Sequence, residues 1–288
     1  MTWSIAPNRT RIMPFSKVLN VILVAIGLAL IVPTRVAGQT VVLGKSIAAE
    51  QQVSMESIDH SAWNHLLKKY VDQEGQVNYK TWKASKTDVA SLDSYLATLS
   101  KASRTKGSSK QSKLAFWINA YNAVTIKGIL REYPTTSIRN HTAKFFGYNI
   151  WKNLLLPVGA APVSLDDIEH QILRKMGEPR IHFAIVCASK GCPSLLNQAY
   201  TKEKVDQQLD ENAKNFFANT NNFRYDVSSQ RFYLSSILSW FAEDFGKDQA
   251  SQLKTIAKFL PTPEATKAAT NNAVSLSFLD YDWNLNQQ

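Results

Sequence analysis

The chain has 288 residues, of which 44% are hydrophobic and 19% charged, and its formal net charge is +10 at pH 7. This length and composition are ordinary for a globular protein of one or two domains. The positive charge is scattered, and its one dense patch, within residues 101–113, is interleaved with serine and glycine as in a solvated loop. No nucleic-acid-binding motif accompanies that charge, so nucleic acid is excluded from the expected partners.

The first 38 residues predict a signal peptide. A basic segment without acidic residues precedes an apolar run over 18–33. A run of 16 residues is short for a membrane span and suitable for the core of a signal peptide. Small residues at 36–38 complete a cleavage site, so we expect an exported, periplasmic or secreted chain that begins at Gln39. The alternative is an uncleaved segment that anchors the protein in the membrane, which is the one membrane contact we expect.

The remaining chain predicts an α+β protein. Residues 39–57 lack periodicity and are predicted to be a flexible lead-in to a single globular domain over 58–288. Apolar residues at spacings of three and four predict helices over 60–71, 92–99, 113–130, 164–174, 205–217 and 251–260. Alternating residues around turns predict hairpins over 153–163 and 223–234. We therefore expect a helix-rich single domain with a small, mostly antiparallel sheet.

Both cysteines, Cys187 and Cys192, lie in one short segment of the chain. The segment 180–187 is apolar with β-branched members, which predicts a buried strand. Small residues, glycine and proline follow Cys187 and indicate a tight loop. If the protein carries out chemistry, this segment is where we expect it.

The chain resembles the bacterial and plant family known as domain of unknown function 547. The matching motifs follow one another in the family's order and span about residues 60–286, with no departure that we notice. They are Ala115–Ala123, Ser164–His170, Pro179–Ala184, Cys187–Pro193 and Tyr281–Asn286. The resemblance implies little about activity, because the family is named for lacking an assigned one.

One hypothesis is a thiol-dependent hydrolase or transferase with Cys187 as its nucleophile. Such a cysteine needs a histidine as base, and an amide or carboxylate that orients the histidine. The candidate bases are His170 and His182, and the candidate orienting residues are Asn119, Asn122 and Glu169. Five residues separate His182 from Cys187, which places them on opposite faces of a regular strand and favours His170. The alternative is that His182 and Cys187 are ordinary core residues and that the two asparagines bind neighbouring backbone.

A second hypothesis is a structural disulfide between Cys187 and Cys192 in a non-enzymatic binding domain. An even cysteine count in an oxidising compartment favours this bridge. The ligand would then be a peptide, a glycan or a small molecule held by aromatic residues. No tight pair of His, Cys or Glu residues has metal-ligand spacing, so neither a metal nor another cofactor is predicted. Walker, Rossmann and nucleophile-elbow motifs are absent from the sequence.

Overall fold

The structure, a computed structural model, describes residues 40–143, 148–159 and 161–288. The predicted signal peptide lies outside these described residues. The α-helices are α1 Ser61–Tyr70, α2 Tyr79–Ala84, α3 Lys86–Leu99, α4 Lys110–Glu132, α5 Ile150–Asn153, α6 Val205–Ala218, α7 Ile237–Trp240, α8 Ala242–Phe245, α9 Gln249–Ala257 and α10 Pro263–Thr270. Within the described ranges, no helix combines the length and hydropathy that a membrane span needs.

Among the described residues, the strands form two small sheets of three strands each. Their members are β1 Val41–Val42, β2 Leu154–Val158, β3 Ala161–Ser164, β4 Phe223–Asp226, β5 Arg231–Ser235 and β6 Ser275–Leu279. The order is β1-β2-β3 in the first sheet and β4-β5-β6 in the second. The β2–β3 and β4–β5 pairs are the predicted antiparallel hairpins, whereas β1 and β6 add parallel edges. The α+β class is confirmed, with two mixed sheets in place of a single, mostly antiparallel one.

The central element is α4, which is buried along almost its whole length. The side chain of Ser109 caps its first turn by accepting a hydrogen bond from the backbone of Ser112. Residues over 114–130 then pack on all sides into the larger of two hydrophobic clusters. A smaller cluster surrounds α6, α9, α10 and the second sheet. The cysteine segment lies beside α4.

The segment predicted to be a flexible lead-in makes defined contacts from residue 40 onward. Val41 and Val42 pair with β2, and Val53 bridges to Ala102. Met55 is buried in the larger cluster. These apolar residues contribute to the same core as the helices, which the absence of periodicity in this stretch did not reveal.

The buried strand predicted over 180–187 is wrong. Pro179–Phe183 forms a 3₁₀ helix, and the chain then continues irregularly to Cys187. Proline favours the first position of a helix, and the Glu178 side chain caps this one by accepting from the backbone of Arg180. Burial of the segment was predicted correctly, but no strand runs beside it within the described residues. Two of its backbone groups, the Ala184 carbonyl and the Val186 N–H, bond the Asn122 side chain of α4 instead.

The predicted capping box at Ser164 is present and begins an unusual helix. Ser164 and Asp167 exchange hydrogen bonds between side chain and backbone at 3.0 and 3.1 Å. Asp167–Leu173 then adopts a π-helix, which continues into the 3₁₀ turn Arg174–Met176. π-helical turns are rare and occur frequently at functional sites. This one carries Glu169 and His170.

Candidate functional site

The two cysteines face each other across a tight loop. Their sulfur atoms lie 2.6 Å apart, and both residues are free thiols in the structure. The predicted disulfide is therefore not formed there, since an S–S bond is about 2.05 Å long. Cys187 is partly exposed, whereas Cys192 is buried. The backbone N–H of Cys187 also donates to the Cys192 sulfur at 3.0 Å.

The backbone before the loop is held by Asn122 of α4. Its amide donates to the Ala184 carbonyl at 3.0 Å and accepts from the Val186 N–H at 2.9 Å. The loop itself contains a strained residue, Ala188, with a φ of 60°. A non-glycine residue in this left-handed region costs on the order of 1 kcal/mol and persists only where the surroundings impose it.

The C-terminal segment 281–286 imposes that conformation. Its backbone makes three hydrogen bonds with the cysteine loop. The N–H of Asn286 donates to the carbonyl of Ala188, and the N–H groups of residues 190 and 191 donate to the carbonyls of Asn284 and Asp282, respectively. Two distant parts of the chain, α4 and this segment, therefore fix the geometry of the thiols.

The same segment brings a phenol to the sulfur atoms. The hydroxyl of Tyr281 lies 3.2 Å from the sulfur of Cys187 and 3.0 Å from that of Cys192. Burial raises the pKa of Tyr281, so its hydroxyl stays protonated at neutral pH and can donate. Its ring packs against Trp240 and Trp283, with centroid separations of 4.9 and 4.5 Å.

The two thiols have different acidities. A hydrogen bond from Cys192 lowers the pKa of Cys187, with further help from Tyr281 and Ser189. Burial raises the pKa of Cys192, and a charge on Cys187 raises it further. The accessible thiol is therefore the one that ionises first. Because the thiolate is the reactive form of cysteine, Cys187 is the thiol of the pair that is better suited to react, and Cys192 lies protonated beside it.

A cavity of about 270 Å³ opens beside these thiols. Four of the predicted site residues line it, namely Glu169, His170, His182 and Cys187, and so does Cys192. Aromatic and apolar side chains supply most of the remaining wall: Tyr121, Trp151, Ile185, Pro193, Ile237, Trp240, Phe241, Tyr281 and Trp283. The π-helix thus contributes a carboxylate and an imidazole to the same space as the cysteine loop.

Glu169 is a half-buried carboxyl group in this wall. Burial raises its pKa, and the hydroxyl of Tyr121 donates to its Oε2 at 3.1 Å. Burial also raises the pKa of Tyr121, which therefore remains a donor. A raised pKa makes this carboxyl more basic than a solvent-exposed glutamate, and carboxyl groups perturbed in this way often occur at functional sites.

His182 is held beneath the cavity by Asp244. Its Nε2 lies 2.7 Å from Asp244 Oδ2, and its ring stacks on Phe241 with centroids 4.1 Å apart. Burial lowers the pKa of His182 to about 4. Burial would raise the pKa of Asp244, but the hydrogen bonds from Arg174 and His182 outweigh it and lower that pKa. At neutral pH the ring is therefore uncharged and donates to an ionised carboxylate.

His170 lies at the more open side. Its Nδ1 is 3.3 Å from a guanidinium nitrogen of Arg174, and its Nε2 is 3.9 Å from Asp166 Oδ1. Neither histidine is bonded to a sulfur. Among the described residues, the polar side chains in contact with the Cys187 sulfur belong to Ser189, Cys192 and Tyr281.

Asn119 does not line the cavity. Its amide donates to the Tyr200 carbonyl at 2.8 Å and accepts from the Tyr200 N–H at 2.9 Å. This pairing matches the alternative that the two asparagines of α4 bind neighbouring backbone, Asn119 at residue 200 and Asn122 at the cysteine segment. Within the described ranges, no three His, Cys, Asp or Glu residues are arranged to hold a metal ion.

Sequence reasoning about the site omitted its tyrosines. Tyr121 belongs to the family motif in α4 and Tyr281 to the motif at the end of the chain. Both motifs support the family resemblance, but neither tyrosine was assigned a role in the site. A tyrosine inside an apolar motif indicates core packing as readily as a hydrogen-bond donor. Only the approach of their hydroxyls to Glu169 and to the thiols distinguishes the two.

Comparison with known proteins gives one match. Residues 105–217 match the model of a family described as a protein of unknown function, DUF547. This range includes α4, the π-helix and the cysteine loop. No curated protein and no solved structure matches the chain.

Proposed function

We propose, for this member of the DUF547 family, a thiol-dependent transfer activity in which Cys187 and Cys192 exchange disulfides with a substrate. Cys187 is the attacking thiol and Cys192 the resolving one. The observation that carries the proposal is the 2.6 Å separation of a partly exposed sulfur with a lowered pKa from a buried sulfur with a raised one.

The reaction proceeds in two exchanges. The Cys187 thiolate attacks one sulfur of a substrate disulfide, and the other substrate sulfur leaves as a thiolate. The mixed disulfide removes the charge from Cys187, which no longer raises the pKa of Cys192. Cys192 then gives its proton to the thiolate released in the first exchange and attacks the Cys187 sulfur, and the rest of the substrate leaves as a second thiolate. Two electrons have passed from the protein to the substrate, and an external dithiol returns them.

The neighbours of Cys187 favour exchange over hydrolysis. A thiol hydrolase uses an imidazole bonded to the nucleophile, both to ionise it and to protonate the leaving group. Here a second thiol and a phenol occupy the bonding positions around that sulfur. Cys192 is placed for nucleophilic attack on Cys187, which hydrolysis does not require. Tyr281 stabilises the thiolate without any charge of its own.

Export is a second part of the proposal. The basic and apolar segments before residue 38 favour delivery to an oxidising compartment, where a dithiol has disulfides as substrates and as products. We expect the purified protein to begin at or near Gln39. N-terminal sequencing that finds Met1 on a membrane-bound product would establish an anchored chain instead.

A trapping experiment tests the exchange. The reduced protein is mixed with bis(2-hydroxyethyl) disulfide, and the products are identified by intact mass. Wild type should yield free mercaptoethanol and a Cys187–Cys192 disulfide. Cys192→Ala should accumulate a stable mixed disulfide at Cys187, and Cys187→Ala should form an adduct far more slowly.

The other hypotheses predict different results. A purely structural disulfide would leave wild type oxidised after treatment with excess dithiol under native conditions. Two core cysteines would react slowly, and equally in the two alanine variants. A thiol hydrolase would show a burst with an activated ester, and His170→Ala would abolish that burst while Cys192→Ala retained it. Each of these three results would overturn the exchange activity.

A further inference from the structure

The charged residues that line the cavity beside Cys187 are of one sign. Asp166 and Glu169 lie in its wall, and among the described residues neither lysine nor arginine does. This contrasts with the chain as a whole, which carries a net charge of +10. Surface charges farther away than about 8 Å are largely screened at physiological ionic strength, so a bound group responds mainly to the wall and to the charges packed directly against it.

One carboxylate oxygen is available to a ligand. Tyr121 donates to Oε2 of Glu169, and in the part of the chain that the structure describes no hydrogen bond reaches Oε1. Asp166 has one weak partner, His170, at 3.9 Å. Asp244, deeper in the molecule, is already paired with both Arg174 and His182. Glu169 and Asp166 are therefore the acidic groups with remaining capacity to bind.

The rest of the wall is aromatic. The rings of Trp240, Tyr281 and Trp283 pack against one another within 5.8 Å between centroids, and Trp240 is 49% exposed. Two rings of the wall already carry guanidinium groups, with Arg174 5.3 Å from the centroid of Phe241 and Arg139 5.1 Å from that of Trp283. Arg174 is neutralised by Asp244 and Glu243. Aromatic faces attract cations, most strongly where carboxylates are close.

The volume limits the size of the ligand. About 270 Å³ is at the small end of ligand cavities, which corresponds to one side chain more than to a fused ring system or an oligosaccharide. An apolar wall with few hydrogen-bonding groups also suits an alkyl stem better than a sugar. A carboxylate or phosphate would find no fixed cation among the lining residues.

We propose that this cavity binds a cationic group on a short apolar stem, as in the lysine or arginine side chain of a disulfide-bonded peptide. Glu169 and Asp166 attract the charge, and the tryptophan and tyrosine rings cover the stem. The claim that such a side chain belongs to the substrate rests on the proposed exchange activity. The claim that the cavity binds a cationic group does not depend on that activity.

Binding is measured without any redox step. Reduced wild-type protein is titrated with Nα-acetyl-lysinamide and with its uncharged counterpart Nα-acetyl-norleucinamide at 0.15 M salt, and tryptophan fluorescence reports occupancy. The lysine compound should bind about tenfold more tightly. Glu169→Gln and Asp166→Asn should each reduce that ratio. Glu264→Gln makes the same change of charge at an exposed residue of α10, outside the cavity, and should leave the ratio unchanged.

Reactivity is measured with three small disulfides of different charge. Cystamine is cationic, bis(2-hydroxyethyl) disulfide neutral and dithiodipropionate anionic. Wild type should react fastest with cystamine and slowest with dithiodipropionate. Glu169→Gln should reduce the difference between these two rates. Glu264→Gln again serves as the control.

The two proposals fail in different ways. Equal binding of the two amides together with Cys187-dependent reaction of all three disulfides, at rates set only by their own chemistry, would overturn the cation site and leave the exchange activity standing. Preferential binding of the lysine compound without reaction of any disulfide would support the cation site and overturn the exchange activity. Preference for the anionic disulfide would overturn the cation site. Thermal unfolding of each variant confirms that it is folded under the assay conditions.

Discussion

Gly191 lies against the ring of Tyr281 so closely that a β-carbon at position 191 would stand 2.9 Å from Cδ2 of that ring. Real β-carbons do not approach other heavy atoms that closely, so one of the two residues would have to move. The backbone nitrogen of Asp282 is 3.0 Å from the same point, so a shift of the ring alone would not make room for a β-carbon. Glycine is therefore required here for the contact between the cysteine loop and the C-terminal segment.

Gly191→Ala should separate Tyr281 from the thiols. We expect slower alkylation of Cys187 by iodoacetamide at pH 7, because the phenol no longer stabilises the thiolate. Mass spectrometry of the reduced protein over time measures the rate. Gly107→Ala is the matched control, since a β-carbon there meets nothing within 4 Å. Equal rates in the two variants would contradict the role assigned to this contact.

Tyr281→Phe removes the hydroxyl and keeps the ring. Loss of a donor to a thiolate costs on the order of 1 kcal/mol, so the pKa of Cys187 should rise and its alkylation at pH 7 should slow by up to about tenfold. The pH dependence of the alkylation rate measures this shift directly. Tyr225→Phe removes a hydroxyl bonded to the exposed Gln230 and should have no effect. An unchanged pH profile in Tyr281→Phe would show that the hydroxyl does not donate to sulfur.

The buried imidazole of His182 should make the protein less stable in mild acid. Burial lowers its pKa from 6.5 to about 4 in the folded state. Between these values the unfolded chain binds a proton that the folded chain does not, so the free energy of unfolding falls as pH drops from about 6.5 to about 4. The decrease in the free energy of unfolding that His182 causes over this pH range is on the order of 3 kcal/mol. His60, whose pKa burial also lowers to about 4, acts in the same direction.

Denaturant unfolding between pH 7 and pH 4 measures this dependence. His182→Gln should be less stable than wild type at pH 7, since a packed, hydrogen-bonded ring is lost, and its stability should depend less on pH. His65→Gln replaces an exposed histidine of α1 and should retain the wild-type slope. A wild-type slope in His182→Gln would show that this imidazole does not stay uncharged in the folded state.

Asn119→Ala should affect stability and not thiol chemistry. The substitution leaves the backbone N–H and carbonyl of Tyr200 unpaired in the core, which costs about 2 kcal/mol or more. The alkylation rate of Cys187 should change little as long as the protein is folded. Asn122→Ala is the comparison variant. It removes the side chain that bonds the Ala184 carbonyl and the Val186 N–H just before Cys187, so it should alter the alkylation rate. If Asn119→Ala slowed alkylation at unchanged stability, Asn119 would have a role in the site that the geometry does not indicate.

The elements that were predicted correctly from the sequence are those whose signals are local. Apolar spacing in α1, α4 and α6 reports burial on one side or on all sides of a helix, and the exchange between Ser164 and Asp167 needs only three residues. Both hairpins were predicted because alternation and turn residues occur next to each other in the chain. The cysteine loop, His170 and Glu169 were candidates from the sequence because cysteine and histidine are few in this chain, and they line one cavity.

The conformation of that loop depends on contacts between distant parts of the chain. An apolar run such as 180–187 indicates burial but not whether another strand runs beside it, and here Asn122 takes the place of that strand. The meeting of Tyr281 with Cys187 joins residues 94 positions apart, and no local pattern encodes such a distance. The difference in acidity between two cysteines five residues apart arises from unequal burial and from donors on other elements. Those quantities depend on packing in three dimensions, which periodicity along a chain does not contain.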